Sequence, residues 1–76
     1  MLQHIIENVV KTLVDSPEAV SVAFTQSGEK DIFEINVDAQ DIGKVIGKEG
    51  QTIRALRMLV NALNSTGNEV EITIAK

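Results

Sequence analysis

The sequence contains no cysteine, tryptophan or tyrosine, and only one proline, one histidine and two phenylalanines in 76 residues. Without cysteine there is no disulfide framework, no zinc-finger spacing and no thiol nucleophile. The lone histidine, His4, falls on the polar side of an amphipathic stretch, where it is expected to be solvated. No serine is placed beside a base and no carboxylates cluster, so no catalytic set and no metal or cofactor site is expected. No window approaches the ~18 consecutive apolar residues that a membrane span needs. The first residues, MLQHIIENVVKTLVDS, lack the basic segment and unbroken apolar run of a signal peptide. A soluble, cytoplasmic, single-domain protein over residues 1–76 is the expectation. A domain of this size buries only about 60% of the surface its unfolded chain exposes, so modest stability is expected too.

Positive charge is also scarce. Seven Lys and Arg stand against eleven Asp and Glu, a net charge of −4, which argues against nonspecific attraction to a polyanion. The distribution is uneven, however. Residues 41–57 carry Lys44, Lys48, Arg54 and Arg57 against Asp41 and Glu49, a local balance of +2 that leaves −6 for the rest of the chain. A basic island on an acidic body suits a localised anion site better than a coating surface.

Leu2, Ile5, Ile6, Val9, Val10, Leu13 and Val14 follow the i, i+3, i+4, i+7 spacing of a helix with one buried face. Asp15-Ser16-Pro17-Glu18 breaks it. Val20, Val22 and Phe24 alternate as a half-buried strand, TQSGEKD turns at Gly28, and Phe33, Ile35 and Val37 alternate as its hairpin partner. Asp38 is placed to cap the next helix, with Asp41 three residues on in the manner of a capping box. A short helix from about Ala39 to Ile46 precedes Gly47. A longer one runs from Gly50 to about Asn64, with the apolar stripe Ile53, Leu56, Leu59, Val60 and Leu63. Val70, Ile72 and Ile74 form a last strand. The helices can bury their apolar faces only by packing on one face of a three-stranded sheet, which makes the fold α+β.

Gly47 and Gly50 separate the second and third helices with only Lys48 and Glu49 between them. Glycine admits positive φ and close backbone approach, and the loop opens a helix whose unpaired N–H groups and dipole favour an anion. Arg54 and Arg57, three residues apart, share a polar face with Asn61 and Asn64. Phosphate is the ligand type this suggests, although a tight helix connection gives the same Gly-x-x-Gly spacing. Two other phosphate motifs do not fit. A P-loop needs four residues between its glycines and then Lys-Ser or Lys-Thr, whereas three separate Gly43 from Gly47 and Glu49 follows Lys48. The dinucleotide fingerprint needs Gly-x-Gly-x-x-Gly straight after a strand.

The segment VIGKEGQTI, Val45 to Ile53, with Gly43-Lys44 before it, resembles the KH-domain pattern aliphatic-Ile-Gly-x-x-Gly-x-x-Ile. The order α-β-β-α-α-β resembles the type II arrangement, and the extent of the chain resembles the small stand-alone bacterial KH proteins of the KhpA type. The resemblance implies a non-catalytic, single-stranded RNA-binding protein, an adaptor or chaperone-like regulator, that clamps about four nucleotides. Gly47, Lys48, Glu49 and Gly50 would hold the sugar-phosphate backbone, mainly through main-chain N–H groups. Gly43 and Lys44 would line the groove edge, and Arg54 and, more distantly, Arg57 would reach phosphates. Ile46 and Ile53 are expected to be core residues that fix the loop. The aromatic platform on which RRM and cold-shock readers stack bases is missing, so an aliphatic groove would receive the bases. The family also implies pairing, with a second copy or with a larger, multidomain KH protein of the Jag (KhpB) type. Ala55, Met58 and Ala62 flank the core stripe of the long helix and would admit a partner helix. The competing reading is a protein-interaction module that keeps the fold while RNA matters little.

Overall fold

The structure, a computed structural model, describes residues 2–75; Met1 and Lys76, the ends of the expected domain, lie outside the described residues. Helix α1 (Leu2–Leu13) leads through a 3-10 turn at Pro17–Ala19 into strands β1 (Ser21–Ser27) and β2 (Lys30–Asn36). Helix α2 (Ile42–Ile46), a tight turn at Lys48–Gly50, helix α3 (Gln51–Leu63) and strand β3 (Glu69–Ile74) follow. The sheet order is β1-β2-β3, with β2 antiparallel to β1 and parallel to β3. Parallel neighbours need a crossover, and here the crossover is α2, the glycine loop and α3. The α+β order and the three-stranded sheet match the expected arrangement.

The hairpin closes tightly. Ser27 pairs with Lys30 around Gly28-Glu29, and Gly28 has φ 60°, the sign that a two-residue turn with leading glycine requires. On the central strand Asp31, Phe33 and Ile35 face the helices, and Ile6, Val10, Val22, Val45, Leu56, Val60, Val70 and Ile72 close over them. The apolar stripes are wider than the faces that are covered. Ile5 and Leu13 on α1, and Leu59 and Leu63 on α3, are exposed, because three strands are too narrow to shield the flanks of two helices. Phe24 is also exposed, its ring 5.0 Å from that of Phe33. Ile46, expected in the core, is exposed and Val45 is buried in its place, while Ile53 is half-buried against the core as expected.

Two acids occupy core positions. Asp38 caps as expected, its Oδ1 accepting the Gln40 N–H at 3.0 Å. Asp41 does not act as a helix cap and forms no capping box. It is 2% exposed, and its Oδ2 accepts the Ser16 backbone N–H at 3.1 Å. That bond ties the connection after α1 to the start of α2. Asp31, also 2% exposed, gathers four donors: Gln26 of β1, and Asn64, Thr66 and Asn68 of the α3–β3 connection. Four bonds fill the lone pairs of a carboxylate, which is why an acid is tolerated in the row of Phe33 and Ile35 with no ion pair among the described residues. The bond from Asn68, reinforced by those from Thr66, Asn64 and Gln26, holds the Asp31 carboxyl below its ordinary value of 3.8 against the opposing effect of burial.

A depressed folded-state pKa means that Asp31 stabilises the fold fully above 3.8 and loses that contribution as the pH falls through the folded value. Asp31→Asn turns an acceptor into a donor facing other donors, so it lowers the urea midpoint at neutral pH. The gap from the parent narrows on acidification from about pH 5 to about pH 2. A gap independent of pH in urea titrations would contradict this account.

Candidate nucleic-acid interface

The connection from α2 to α3 has positive φ at three of its four residues. Gly47 has φ 78° and ψ 173°, Glu49 has φ 56°, and Gly50 has φ 76°. The Gly47 conformation belongs almost only to glycine. Space imposes the same restriction, since a Cβ at Gly47 would lie 2.7 Å from Thr52 Cβ and 2.8 Å from the Thr52 backbone N. At Gly50 the nearest atom to an added Cβ is an Arg54 guanidinium nitrogen at 3.8 Å, and at Gly43 the space is open. Only Gly47 is therefore required by packing as well as by its dihedrals.

The backbone donors of the loop divide into two sets. The Gly47 N–H bonds the Gly43 carbonyl at 2.9 Å, the Gly50 N–H bonds the Gly47 carbonyl at 3.2 Å, and the Gln51 N–H bonds the Lys48 carbonyl. Among the described residues the N–H groups of Lys48 and Glu49 have no protein acceptor. Their position at the exposed tip, one turn ahead of the α3 N-terminus, leaves them open to an acceptor from outside. Arg54 folds back over the turn and donates to the Glu49 carbonyl at 3.2 Å. That contact helps fix Glu49 in its left-handed conformation and brings a guanidinium to the turn.

The cations divide in a similar way. Lys11 pairs with Glu7, Lys30 with Glu71, and Lys44 with Asp15 and Asp41. Among the described residues, Lys48, Arg54 and Arg57 pair with no carboxylate, and all three are exposed. Among the described residues the cations left unneutralised thus stand at the loop and on the two turns of α3 behind it. Arg57 lies one turn from Arg54, and its carbonyl accepts from Asn61 at 3.0 Å. Glu49 is exposed and, among the described residues, also unpaired, the one acid at the turn.

The eight residues singled out from the sequence (Gly43, Lys44, Gly47, Lys48, Glu49, Gly50, Arg54 and Arg57) thus lie along α2, the turn and the first half of α3. Lys44 differs from the rest. Its Nζ is 2.9 Å from Asp15 Oδ2 and 3.6 Å from Asp41 Oδ1. The hydrogen bond and charge of Asp15, followed by Asp41, raise the ammonium above its ordinary 10.5. Sequence reasoning did not find Asp15, Ser16 or Thr52 as residues that shape this surface. Their partners lie 5 to 29 positions away, and no local pattern announces them. Exposed Ile46, beside the loop, supplies an aliphatic surface that the core reading had hidden.

An α-β-β-α-α-β domain with its glycine turn between the second and third helices is a type II KH domain. Residues 3–74 match the family described as KhpA/KhpB, KH domain, and the chain belongs to that family, a non-catalytic one. The chain is 40% identical over 72 residues to the RNA-binding protein KhpA of Streptomyces coelicolor, covering 95% of this chain and 91% of the relative. It is 36% identical over 76 residues to the RNA-binding protein KhpA of Thermotoga maritima, covering 99% and 100%. With the RNA-binding protein KhpA of Chlamydia caviae the identity is 45% over 60 residues, covering 79% and 77%. No solved structure matches the chain.

The two loop glycines are expected to respond differently to a methyl group. Gly50→Ala meets only the left-handed backbone, a cost of about 1–2 kcal/mol. Gly47→Ala combines a glycine-only conformation, about 1–3 kcal/mol, with overlap on the Thr52 backbone, so its loss is the larger. Denaturant midpoints and the amide NMR shifts of Lys48 and Glu49 in the two variants test this. Equal losses with an undisturbed loop in both would contradict it.

Proposed function

We propose that the chain, as a single KH domain over residues 1–76, binds single-stranded RNA at the Gly47–Gly50 turn and acts as a non-catalytic adaptor or chaperone-like regulator in the cytoplasm. The observation that carries this reading is the coincidence, among the described residues, of two backbone amides without a protein acceptor, Lys48 and Glu49, with the cations that no acid neutralises, Lys48, Arg54 and Arg57. The relatives' names as RNA-binding proteins support the ligand class. In the clamp, phosphate oxygens accept from the two amides, Lys48 and Arg54 neutralise them, and Arg57 takes the next phosphate along the strand. About four nucleotides fill such a groove, with Ile46 offering the bases an aliphatic surface. Glu49 sits in the loop for its backbone amide, its carboxylate turned away from phosphate. Three neutralised phosphates give a salt slope of about −2.1 on a single strand, so one domain binds weakly.

Lys48 and Glu49 replaced together by aspartate test the clamp. Aspartate tolerates the left-handed backbone at position 49 better than most residues, and circular dichroism checks that the fold survives. The expected outcome is a loss of affinity for short single-stranded RNA of at least tenfold. Unchanged affinity in a folded variant would favour the protein-interaction reading.

A weak reader gains when it is doubled, and the exposed apolar side chains give doubling a surface. Met58 is 68% exposed, and Leu59 and Leu63 follow it on α3. Leu63, Ile5 and Phe24 line an open cavity of about 420 Å³ at the hairpin end. We infer that this face pairs with a second copy, or with the KH domain of a larger Jag (KhpB)-type protein, and that Met58, with Ala55 and Ala62 beside it, lies at its margin. Sedimentation at micromolar concentration is expected to give a dimer that Leu59→Glu dissociates without unfolding. A monomer for the parent chain, with or without RNA, would remove the homodimer.

A further inference from the structure

The cation at the groove edge, Lys44, is already engaged, and its partner is held in place by the fold. Asp41, buried at the head of α2, accepts the backbone N–H of Ser16 at 3.1 Å. That bond fixes the chain direction one residue after Asp15, and it sets the Asp15 carboxylate against Lys44 Nζ at 2.9 Å. Asp15 has no other hydrogen-bond partner among the described residues, and its side chain is 80% exposed. Asp41 keeps a longer contact of 3.6 Å with the same ammonium from the buried side. Lys44 therefore has one acid behind it that is part of the fold and one in front of it that is free to leave.

We propose that Asp15 is a built-in competitor for phosphate at the groove edge: RNA reaches Lys44 only by displacing the Asp15 carboxylate, while Asp41 holds the lysine in position. This deepens the reading of the Gly47–Gly50 turn as an RNA clamp and rests on it. Two consequences follow from the charges. Exchanging one exposed ion pair for another returns little free energy, since each is individually weak, so Lys44 contributes little to affinity in the parent protein. The displaced carboxylate also takes up a cation from solution, which offsets the counterion that Lys44's phosphate releases. The observed salt slope is then set by Lys48, Arg54 and Arg57 alone.

The test compares the parent protein with Asp15→Asn, Lys44→Gln and the double variant, binding a mixed-sequence single-stranded RNA of about eight nucleotides, twice the span of one KH domain, over a series of KCl concentrations. Asp15→Asn removes a charge and no backbone contact, so circular dichroism and the thermal midpoint should stay near those of the parent. The expected result is a gain of about two- to fivefold in affinity for Asp15→Asn, with a salt slope steeper by up to about 0.7. The gain should vanish in the double variant, which should bind like Lys44→Gln alone. A gain that persists without Lys44 would reduce Asp15 to a contributor to net charge and overturn the proposal. Equal affinity of Asp15→Asn and the parent, while the Lys48 and Glu49 aspartate variant loses binding, would overturn the competitor and leave the clamp standing. If the aspartate variant binds as the parent does, the clamp and the competitor fail together.

Discussion

At Gly47 the backbone leaving α2 comes against Thr52 in the first turn of α3, with too little space for a methyl group between them. This contact sets the angle at which the short helix gives way to the long one, and the rest of the surface follows from it. With Gly47 extended at positive φ, Glu49 and Gly50 must turn left-handed to bring the chain into α3. That turn directs the Gly50 and Gln51 amides inward to local carbonyls and leaves those of Lys48 and Glu49 outward. A side chain at position 47 would open the turn and redistribute all four donors. The non-glycine residue held left-handed, Glu49, has its carbonyl fixed by Arg54, so part of the strain is offset by a group that also faces the candidate ligand.

Electrostatics act on a different scale. A chain of net charge −4 repels polyanions at long range, and at ordinary ionic strength that repulsion fades beyond about 8–10 Å. Within that distance only local charges count. The fold neutralises Lys11, Lys30 and Lys44 with neighbouring acids and, among the described residues, leaves Lys48, Arg54 and Arg57 without any. An acidic body of this kind disfavours indiscriminate contact with nucleic acid, and under the proposed reading attraction is local to a strand that approaches the turn.

Much of this was legible in the chain. Alternation in β2 and β3, the glycine at the hairpin tip and the periodicity of α1 and α3 each placed an element within a few residues, because local backbone preference and tertiary packing agree there. The misreadings occur where they part. Leu59, Leu63, Ile5 and Leu13 carry the periodicity of buried residues but extend past the edge of a narrow sheet. Ile46 and Val45 are neighbours in sequence, and only the turn of a five-residue helix decides which one faces inward. Asp41 sits at the spacing of a cap, yet its partner is Ser16, 25 residues earlier. Asp31 looks like a turn residue beside Lys30, and only the fold brings Asn64, Thr66 and Asn68 to it. The glycine loop was recognisable because its determinants are local, whereas the ionic frame around Lys44 is assembled from separate segments and leaves no pattern in one sequence.

The domain separates its two proposed tasks by length. Helix α3 runs thirteen residues from the glycine turn to Leu63, about 20 Å at 1.5 Å per residue, in a molecule whose longest dimension is 33 Å. The turn occupies one end of that helix, and the open apolar cavity with Leu63 occupies the other. A partner seated at the hairpin end would therefore leave the turn uncovered, and a strand lying on the turn would leave the cavity end free. Asp31 matters to this arrangement because it anchors the α3–β3 connection, the rim of the cavity, just as Gly47 and Thr52 anchor the opposite end. With both ends fixed to one rigid helix, two copies joined at the cavity end would present two turns at a fixed separation. Under that condition effective concentration, rather than any new contact, raises affinity for a strand long enough to reach both.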